Sequence, residues 1–173
     1  MNRRWDAPRI LATTVSLVVL GLSVAGAASG QTPSPGVRKP TNVLFMCPHG
    51  AAKSVLASAY FEQYAKERGL NVRVVSAGID PDENVAPAVA AHLFKSGYPV
   101  PTAKPRRVTD ADFRAADLVI SIGCDVKDLP AQHPGLLDWS DVPDLSAGFG
   151  TSDAKIREHV LQLVDELVRK QHR

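Results

Sequence analysis

Three short apolar runs constrain the fold of this chain more than any other feature of its sequence. They are residues 42–46 (NVLFM), 72–75 (VRVV) and 118–122 (LVISI). Runs of this kind are typical of strands that are buried on both faces of a parallel sheet. Each is followed by a segment with helical periodicity, and alternating strands and helices predict a doubly wound α/β domain.

The predicted helices have identifiable starts and stops. Gly69 and Gly97 follow the first two as helix stops, and Ser152 is the predicted N-cap of the last. A proline-bearing stretch at 123–150 is predicted to be a long loop, which is a common place for functional residues. The predicted helices cover residues 54–68, 85–96, 110–116 and 152–169.

The first 27 residues have the three-part pattern of a secretory signal peptide. A short basic segment, residues 1–9, precedes an apolar segment, residues 10–27, which ends in the small residues Ala25, Gly26 and Ala27. Residues 28–40 contain several prolines and predict an extended linker before a domain at 41–173. The chain is therefore expected to be exported, either periplasmic or secreted. The alternative is an uncleaved membrane anchor, since the apolar segment is close to the length that spans a bilayer.

Charge argues against a nucleic-acid partner. The formal net charge of +2 arises within the first nine residues, and the remainder carries 17 basic and 17 acidic residues. A neutral domain has no overall field that attracts nucleic acid or an anionic membrane. A membrane contact is expected only if the signal segment stays uncleaved, and any preference for anions must come from a local site.

The loop from Cys47 to Ser54 (CPHGAAKS) is the candidate for that site. It joins the first predicted strand to the first predicted helix, and Gly50, Ala51 and Ala52 are small enough for backbone N–H groups to converge. The N-terminus of a helix favours an anion, and the same field favours a cysteine thiolate, with Lys53 as a nearby cation. A thiolate inside an oxyanion cradle can attack a phosphate-like group. The competing interpretation is an ordinary strand-to-helix turn around a buried cysteine.

These residues carry a resemblance to a known family. The segment VLFMCPHGAAKSVLASAY resembles the active-site segment, C-x5-R-S, of the low-molecular-weight protein tyrosine phosphatases and their arsenate reductase branch. Further similar segments follow in the same order, and the resemblance covers nearly all of residues 42–169. They are VSAG at 75–78, ADLVI at 116–120, IGC at 122–124, LDW at 137–139 and DVPD at 141–144.

The resemblance implies a fold and a set of roles. The fold would be a single three-layer α/β domain with a four-stranded parallel sheet flanked by helices. Cys47 would be the nucleophile, Ser54 would donate a hydrogen bond to its thiolate, and Asp144 would be the general acid, with Asp141 as second choice. The alternative for both aspartates is that they are plain turn residues of a solvated loop. The backbone would hold the oxyanion, and neither metal nor cofactor would be needed. The oxyanion-binding residues would be His49, Gly50, Ala51, Ala52 and Lys53.

Lys53 departs from the family pattern because it replaces the loop arginine. Arginine binds two oxygens of an oxyanion with a planar fork, whereas lysine offers one compact charge. Gly50 and His49 are also unusual at their positions. His49 is expected to contact the ligand or bias the thiolate, or to be an exposed loop residue with no role.

The chain has two cysteines, and the second, Cys124, follows another predicted strand. Thioredoxin-coupled arsenate reductases use three, and the position expected for a third, near Leu129, has none. Cys124 is a candidate redox partner of Cys47, since both are expected at the carboxyl ends of neighbouring strands. The alternative is a cysteine that is simply packed at a strand end.

Three functions follow from these residues. The first is a cysteine-dependent phosphatase for phosphomonoesters of the phosphotyrosine type. The second is an arsenate reductase-like thiol enzyme, and the third is a non-catalytic oxyanion-binding or redox-sensing domain. The expected partner in each case is a small oxyanion or a phosphorylated substrate. Specificity is expected from residues 85–107 and 123–150.

Overall fold

The computed structural model describes residues 39–125 and 133–172. The predicted signal peptide and nearly all of the predicted linker lie outside these residues, as does Leu129. Within the described ranges, no helix combines the length and the apolar character needed to cross a bilayer.

The described domain is a three-layer α/β structure around a parallel sheet. Its strands are β1 (Thr41–Cys47), β2 (Val72–Gly78), β3 (Leu118–Ser121) and β4 (Leu136–Asp138), in the order β2-β1-β3-β4. All three strand pairings are parallel. The predicted fold, with its four-stranded parallel sheet flanked by helices, is confirmed.

In the described ranges, four α-helices connect or follow the strands, and a short 3-10 helix, Leu145–Ala147, precedes the last of them. The α-helices are α1 (Lys53–Glu67), α2 (Pro87–Lys95), α3 (Asp110–Ala115) and α4 (Phe149–Gln171). Each was expected from the sequence, with bounds shifted by a few residues.

Alternate residues of β1 pack into two separate cores. Val43 and Phe45 are buried with residues of α1, α2 and α4, whereas Leu44 and Met46 are buried on the opposite side with Phe113 of α3. A strand covered on both faces explains the continuous apolar run from which it was predicted.

Two predictions near the end of the domain are wrong. The stretch 123–150 is not all loop, since it contains β4, whose three residues are too few to show a period-2 pattern. Ser152 is not the N-cap of the last helix, because Gly148 is. The Ser152 hydroxyl lies inside the first turn and donates to the Gly148 carbonyl at 3.2 Å.

A half-buried polar network lies between α1 and α4. The Arg157 guanidinium lies 4.2 Å from the centroid of the Tyr60 ring, and Tyr60 donates a hydrogen bond to Asp153. Arg157 also donates to the hydroxyls of Tyr64 and Tyr98, at 3.0 and 2.7 Å. Burial, together with the Asp153 contact, raises the pKa of Tyr60 well above its ordinary value. The network holds the helix that begins at the Cys47 loop.

Two glycines allow that loop to lie directly against the end of β2. Gly50 has φ of +60°, and a Cβ built on it would lie 2.7 Å from the backbone nitrogen of Gly78. A Cβ on Gly78 would lie 2.5 Å from the backbone nitrogen of Gly50. Both positions therefore require glycine if the two backbones are to keep this approach.

Gly50→Ala is predicted to destabilise the domain more than Gly69→Ala does. Gly69 has a similar φ of +67° but open space around it, so alanine there should cost only the left-handed strain of about 1–2 kcal/mol. At Gly50 the clash with backbone should add about 1–3 kcal/mol. Urea unfolding of both variants measures the difference, and equal losses would show that the close approach does not stabilise the fold.

Candidate oxyanion site

Cys47 is the last residue of β1 and lies buried at the floor of the loop. Its exposed fraction is 3%, and its Sγ atom lies 3.2 Å from the hydroxyl oxygen of Ser54 in the first turn of α1. A hydroxyl at this distance can donate a hydrogen bond to a thiolate. The structure therefore brings together the predicted nucleophile and its predicted hydrogen-bond donor.

The first backbone N–H groups of α1, at the end of the Cys47 loop, have no side-chain hydrogen-bond partner. Its N-cap is Ala52, no side chain caps the N–H groups of the first turn, and that turn contains no acidic residue. The first N–H groups of a helix have no intrahelical partner and carry partial positive charge. An oxyanion held by the backbone of residues 49–53 would satisfy them.

A segment after β2 braces the loop from outside. The backbone N–H groups of Asp80, Asp82 and Ala86 donate to the carbonyls of Pro48, His49 and Ala51, at 2.9, 3.1 and 2.9 Å. These bonds occupy loop carbonyls, so the loop can present N–H groups rather than carbonyl oxygens to a ligand. No signal in the sequence indicated this brace.

His49 takes part in the same brace. Its Nδ1 atom donates to the Asp80 carbonyl at 3.2 Å and lies 3.7 Å from a carboxylate oxygen of Asp82, while 64% of its side chain is exposed. The described contacts tie His49 to the bracing segment and not to Cys47. Its predicted effect on the thiolate or ligand stays a prediction.

Lys53 and Asp144 form an ion pair at the edge of the loop. The Lys53 Nζ atom donates to Asp144 Oδ1 at 2.9 Å, with 8% of the lysine side chain and 78% of the aspartate side chain exposed. This hydrogen bond lowers the pKa of Asp144 below its usual value. The first-choice acid therefore lies next to the cradle, although the two residues are 91 positions apart in sequence.

Gly123 makes room for the lysine. Its φ is +72°, and a Cβ there would lie 2.7 Å from Lys53 Nζ. The resemblance singled out Gly123 as part of a Gly-Cys pair but gave it no role. Its role in the structure is to let the buried lysine reach its place.

Asp141, the second choice for the acid, is engaged elsewhere. Its carboxylate lies 2.8 Å from His159 Nε2 and 3.2 Å from Lys155 Nζ, both on α4. The hydrogen bonds from these two residues lower the pKa of Asp141, against the opposing effect of desolvation. The His159 ring in turn stacks on Trp139 at 4.8 Å between centroids. Of the two candidates, only Asp144 contacts Lys53.

Cys124 lies close to the same site as a free thiol. It follows β3, which pairs with β1, so the prediction that both cysteines end neighbouring strands is confirmed. Burial raises the pKa of Cys124 to about 11, with a smaller contribution from Cys47 in the same direction and an opposing one from Lys53. Neither cysteine is in a disulfide. At neutral pH Cys124 is therefore a protonated thiol.

No group of three or more His, Cys, Asp or Glu side chains in the described ranges is arranged to hold a metal ion. The charged groups at the cradle are instead Lys53 and Asp144.

Comparison with known proteins places the chain in a family. The model of the family described as low molecular weight phosphotyrosine protein phosphatase matches residues 42–135, more than half of the chain. The chain belongs to this family, which also includes its arsenate reductase relatives.

Three relatives illustrate the range of similarity. A Halobacterium salinarum protein with a provisional arsenate reductase name is 26% identical over 127 residues, covering 70% of this chain and 89% of that protein. A thioredoxin-dependent arsenate reductase structure from Corynebacterium glutamicum is 32% identical with a TM-score of 0.62, covering 76% of this chain and 63% of that one. The Bacillus subtilis protein YfkJ is 20% identical with a TM-score of 0.69, covering 78% and 99%, and shows the fold alone.

Asp144→Asn is predicted to tighten the binding of inorganic phosphate several-fold. Asp144 competes with an anion for Lys53, and the amide removes the competing negative charge. Asp141→Asn is the matched control, since that carboxylate contacts α4 instead. Isothermal titration calorimetry on the reduced protein measures both. Equal or weaker binding by Asp144→Asn, relative to the control, would contradict competition for Lys53.

Proposed function

We propose that this chain is an exported cysteine-dependent phosphatase that hydrolyses phosphomonoesters of the phosphotyrosine type through a phosphorylated Cys47. The observation that carries the proposal is the grouping of Cys47, Ser54, Lys53 and Asp144 around one loop with unclaimed helix N–H groups. Family membership supports cysteine-based oxyanion chemistry. Export rests on the N-terminal sequence pattern alone.

In the first step the Cys47 sulfur attacks phosphorus. An S–P bond forms as the ester P–O bond breaks, and Asp144 gives its proton to the departing oxygen. In the second step water attacks phosphorus and the S–P bond breaks. Asp144 takes the proton from that water, and the products are an alcohol or phenol and inorganic phosphate.

The Lys53–Asp144 pair must open before the first step. In the resting site the hydrogen bond from Lys53 lowers the pKa of Asp144 and so favours the ionised carboxylate. A bound phosphate takes over the lysine charge and adds negative charge beside Asp144. Both changes raise the pKa of that carboxyl relative to the resting site, which favours the protonated acid that the first step needs.

Lysine in place of arginine should make turnover slow. One compact cation holds the three equatorial oxygens of the transition state less well than a planar fork. Loss of one well-placed donor typically costs a factor of about 10²–10³ in rate.

The reduced protein is predicted to hydrolyse an aryl phosphate slowly. Cys47→Ala should abolish this hydrolysis, and Lys53→Arg should raise its rate by about tenfold or more. Arginine restores a bidentate contact with the phosphoryl oxygens. Release of p-nitrophenol from its phosphate ester measures turnover. Lys155→Arg, on α4 and paired with Asp141, is the control for a general effect of added arginine.

Absence of hydrolysis in all these forms, with folding and phosphate binding intact, would overturn the phosphatase proposal.

Arsenate reduction is the second candidate, and a specific observation favours it. Cys124 is a second thiol near Cys47, and the proximity of Cys47 contributes to the raised pKa of Cys124. Arsenate reductases are also among the relatives with the higher identities. In this case Cys47 would attack arsenate, and thiols would supply two electrons to release arsenite. The high pKa of Cys124 counts against it as the attacking thiol in the resting state. Arsenite release that requires both cysteines and an added thiol, without aryl phosphate hydrolysis, would favour this function.

A further inference from the structure

The outer edge of β2 is paired at only one of its ends. β2 lies at one side of the described sheet, and its inner side pairs with β1. At its carboxyl end, the N–H of Gly78 donates to the Arg106 carbonyl at 3.0 Å, and the Gly78 carbonyl accepts from the Val108 N–H at 2.8 Å. The segment 106–108 therefore pairs with the outer edge at Gly78 as an isolated bridge.

The bonds at the two ends of β2 show which backbone groups point outwards. Just before the strand, the Asn71 carbonyl accepts from the Thr41 N–H of β1 at 2.9 Å, so it points inwards, whereas both polar groups of Gly78 point outwards. Alternate residues of a strand direct their N–H and C=O groups to the same side, so those of Val74 and Ser76 point outwards with those of Gly78. Among the described residues, no backbone group outside the sheet bonds to the N–H or C=O of Val74 or Ser76.

A cavity of about 360 Å³ lies against this open stretch of the edge. It is bounded by Val74 and Ser76 of β2, by α1 and by the segment 99–105. Ser76 is half-buried although its hydroxyl oxygen is fully buried, so its exposed surface belongs to its backbone and Cβ atoms. The open backbone groups therefore border a space large enough for part of a peptide.

The other walls of the cavity add apolar contact without a preference for net charge. The segment 99–105 contains three prolines, which have no N–H to donate, and α1 contributes Val55 and Ala59. Glu62 and Lys104 also line the cavity, and their opposite charges favour neither an anion nor a cation. The directional hydrogen-bonding groups at this site are therefore those of the β2 backbone.

We propose that the outer edge of β2 binds an extended polypeptide segment with uncharged side chains. The segment pairs with Val74 and Ser76 as an added strand and places one apolar side chain in the cavity. A peptide backbone presents N–H and C=O groups in alternation, which matches both kinds of open group on β2. Water can satisfy these groups one at a time but leaves the apolar walls exposed, whereas a peptide also covers the walls. The proposal does not depend on the reaction assigned to Cys47.

The cavity borders the Cys47 loop but not the interior of the oxyanion cradle. Gly50 lines it, whereas Cys47, Lys53 and Asp144 do not. Ser58 also lines it and donates a hydrogen bond of 2.7 Å to the backbone carbonyl at position 54, in the first turn of α1. A peptide bound along β2 therefore lies beside the loop and leaves the cradle open.

Titration of the full-length reduced protein with a blocked pentapeptide of alternating valine and threonine, followed by heteronuclear NMR, tests the proposal. The amide protons of Val74 and Ser76 are expected to shift downfield and saturate as they gain partners. Those of Arg73 and Val75 are the internal control, since they already face β1 and should change little. Equal shifts at all four amides, or no saturable shift at millimolar peptide, would overturn the assignment. Shifts of the Val74 and Ser76 amides that depend on protein concentration without peptide would assign the edge to a second copy of this chain and would also overturn it.

N-methylation of the same pentapeptide, one N–H at a time, separates strand pairing from simple burial of apolar side chains. Methylation of an N–H that faces β2 should weaken binding by about tenfold or more, since it removes a hydrogen bond and inserts a methyl group into the ladder. Methylation of the adjacent N–H, which faces away, should change the affinity by less than about twofold. The singly methylated peptides have identical composition, so the comparison needs no protein variant. A similar loss at every position, or no loss at any, would contradict pairing with β2.

Discussion

The site depends on the parallel register of β1 with its two neighbours. Cys47 pairs with Gly78 of β2, and Met46 pairs with Ser121 of β3. This register places the Cys47 loop against the backbone of Gly78 on the β2 side. On the β3 side, it places Gly123 and Cys124 near the same loop. Because parallel strands end at one edge of the sheet, residues far apart in sequence meet there, and the start of α1 adds N–H donors. The two glycines at positions 50 and 78 are the local condition for this arrangement, since any side chain would separate the two backbones.

Lys53 supplies a buried positive charge at the oxyanion cradle. It is buried with only one described acidic partner, Asp144, and that partner is largely exposed to solvent. The pair keeps the lysine charge satisfied while the site is empty, and an incoming oxyanion can replace the carboxylate without leaving the lysine unpaired. In the proposed mechanism, the same exchange raises the pKa of Asp144 relative to the resting site. Under the proposed function, lysine in place of the family's arginine binds the transition state less well but couples anion binding to the state of the acid.

Much of the fold could be predicted from the sequence because its strong signals are local. Continuous apolar runs marked β1, β2 and β3, and helical periodicity marked all four helices. The position of β4 was not predicted because a strand of three residues shows no periodic pattern. Ser152 was wrongly predicted as an N-cap because a serine before an apolar helix face resembles a cap, although the helix begins three residues earlier. Within the site, Cys47, Ser54 and Lys53 were identifiable because they adjoin in sequence. The preference for Asp144 over Asp141 came from the resemblance alone, since the contacts of Asp141 with His159 and Lys155 of α4 follow from packing rather than from local pattern.

The central claim is that Cys47 acts as a nucleophile towards a phosphoryl group inside the cradle. Rapid acid quenching during aryl phosphate turnover, followed by peptide mass spectrometry, tests this claim most directly, because an S–P bond on Cys47 is made only by that chemistry. The account predicts one phosphoryl group on the peptide that contains Cys47, more of it in Lys53→Arg, and none in Cys47→Ala. Product release with no phosphoryl group on Cys47 at any quench time, in either the unmodified chain or Lys53→Arg, would contradict it.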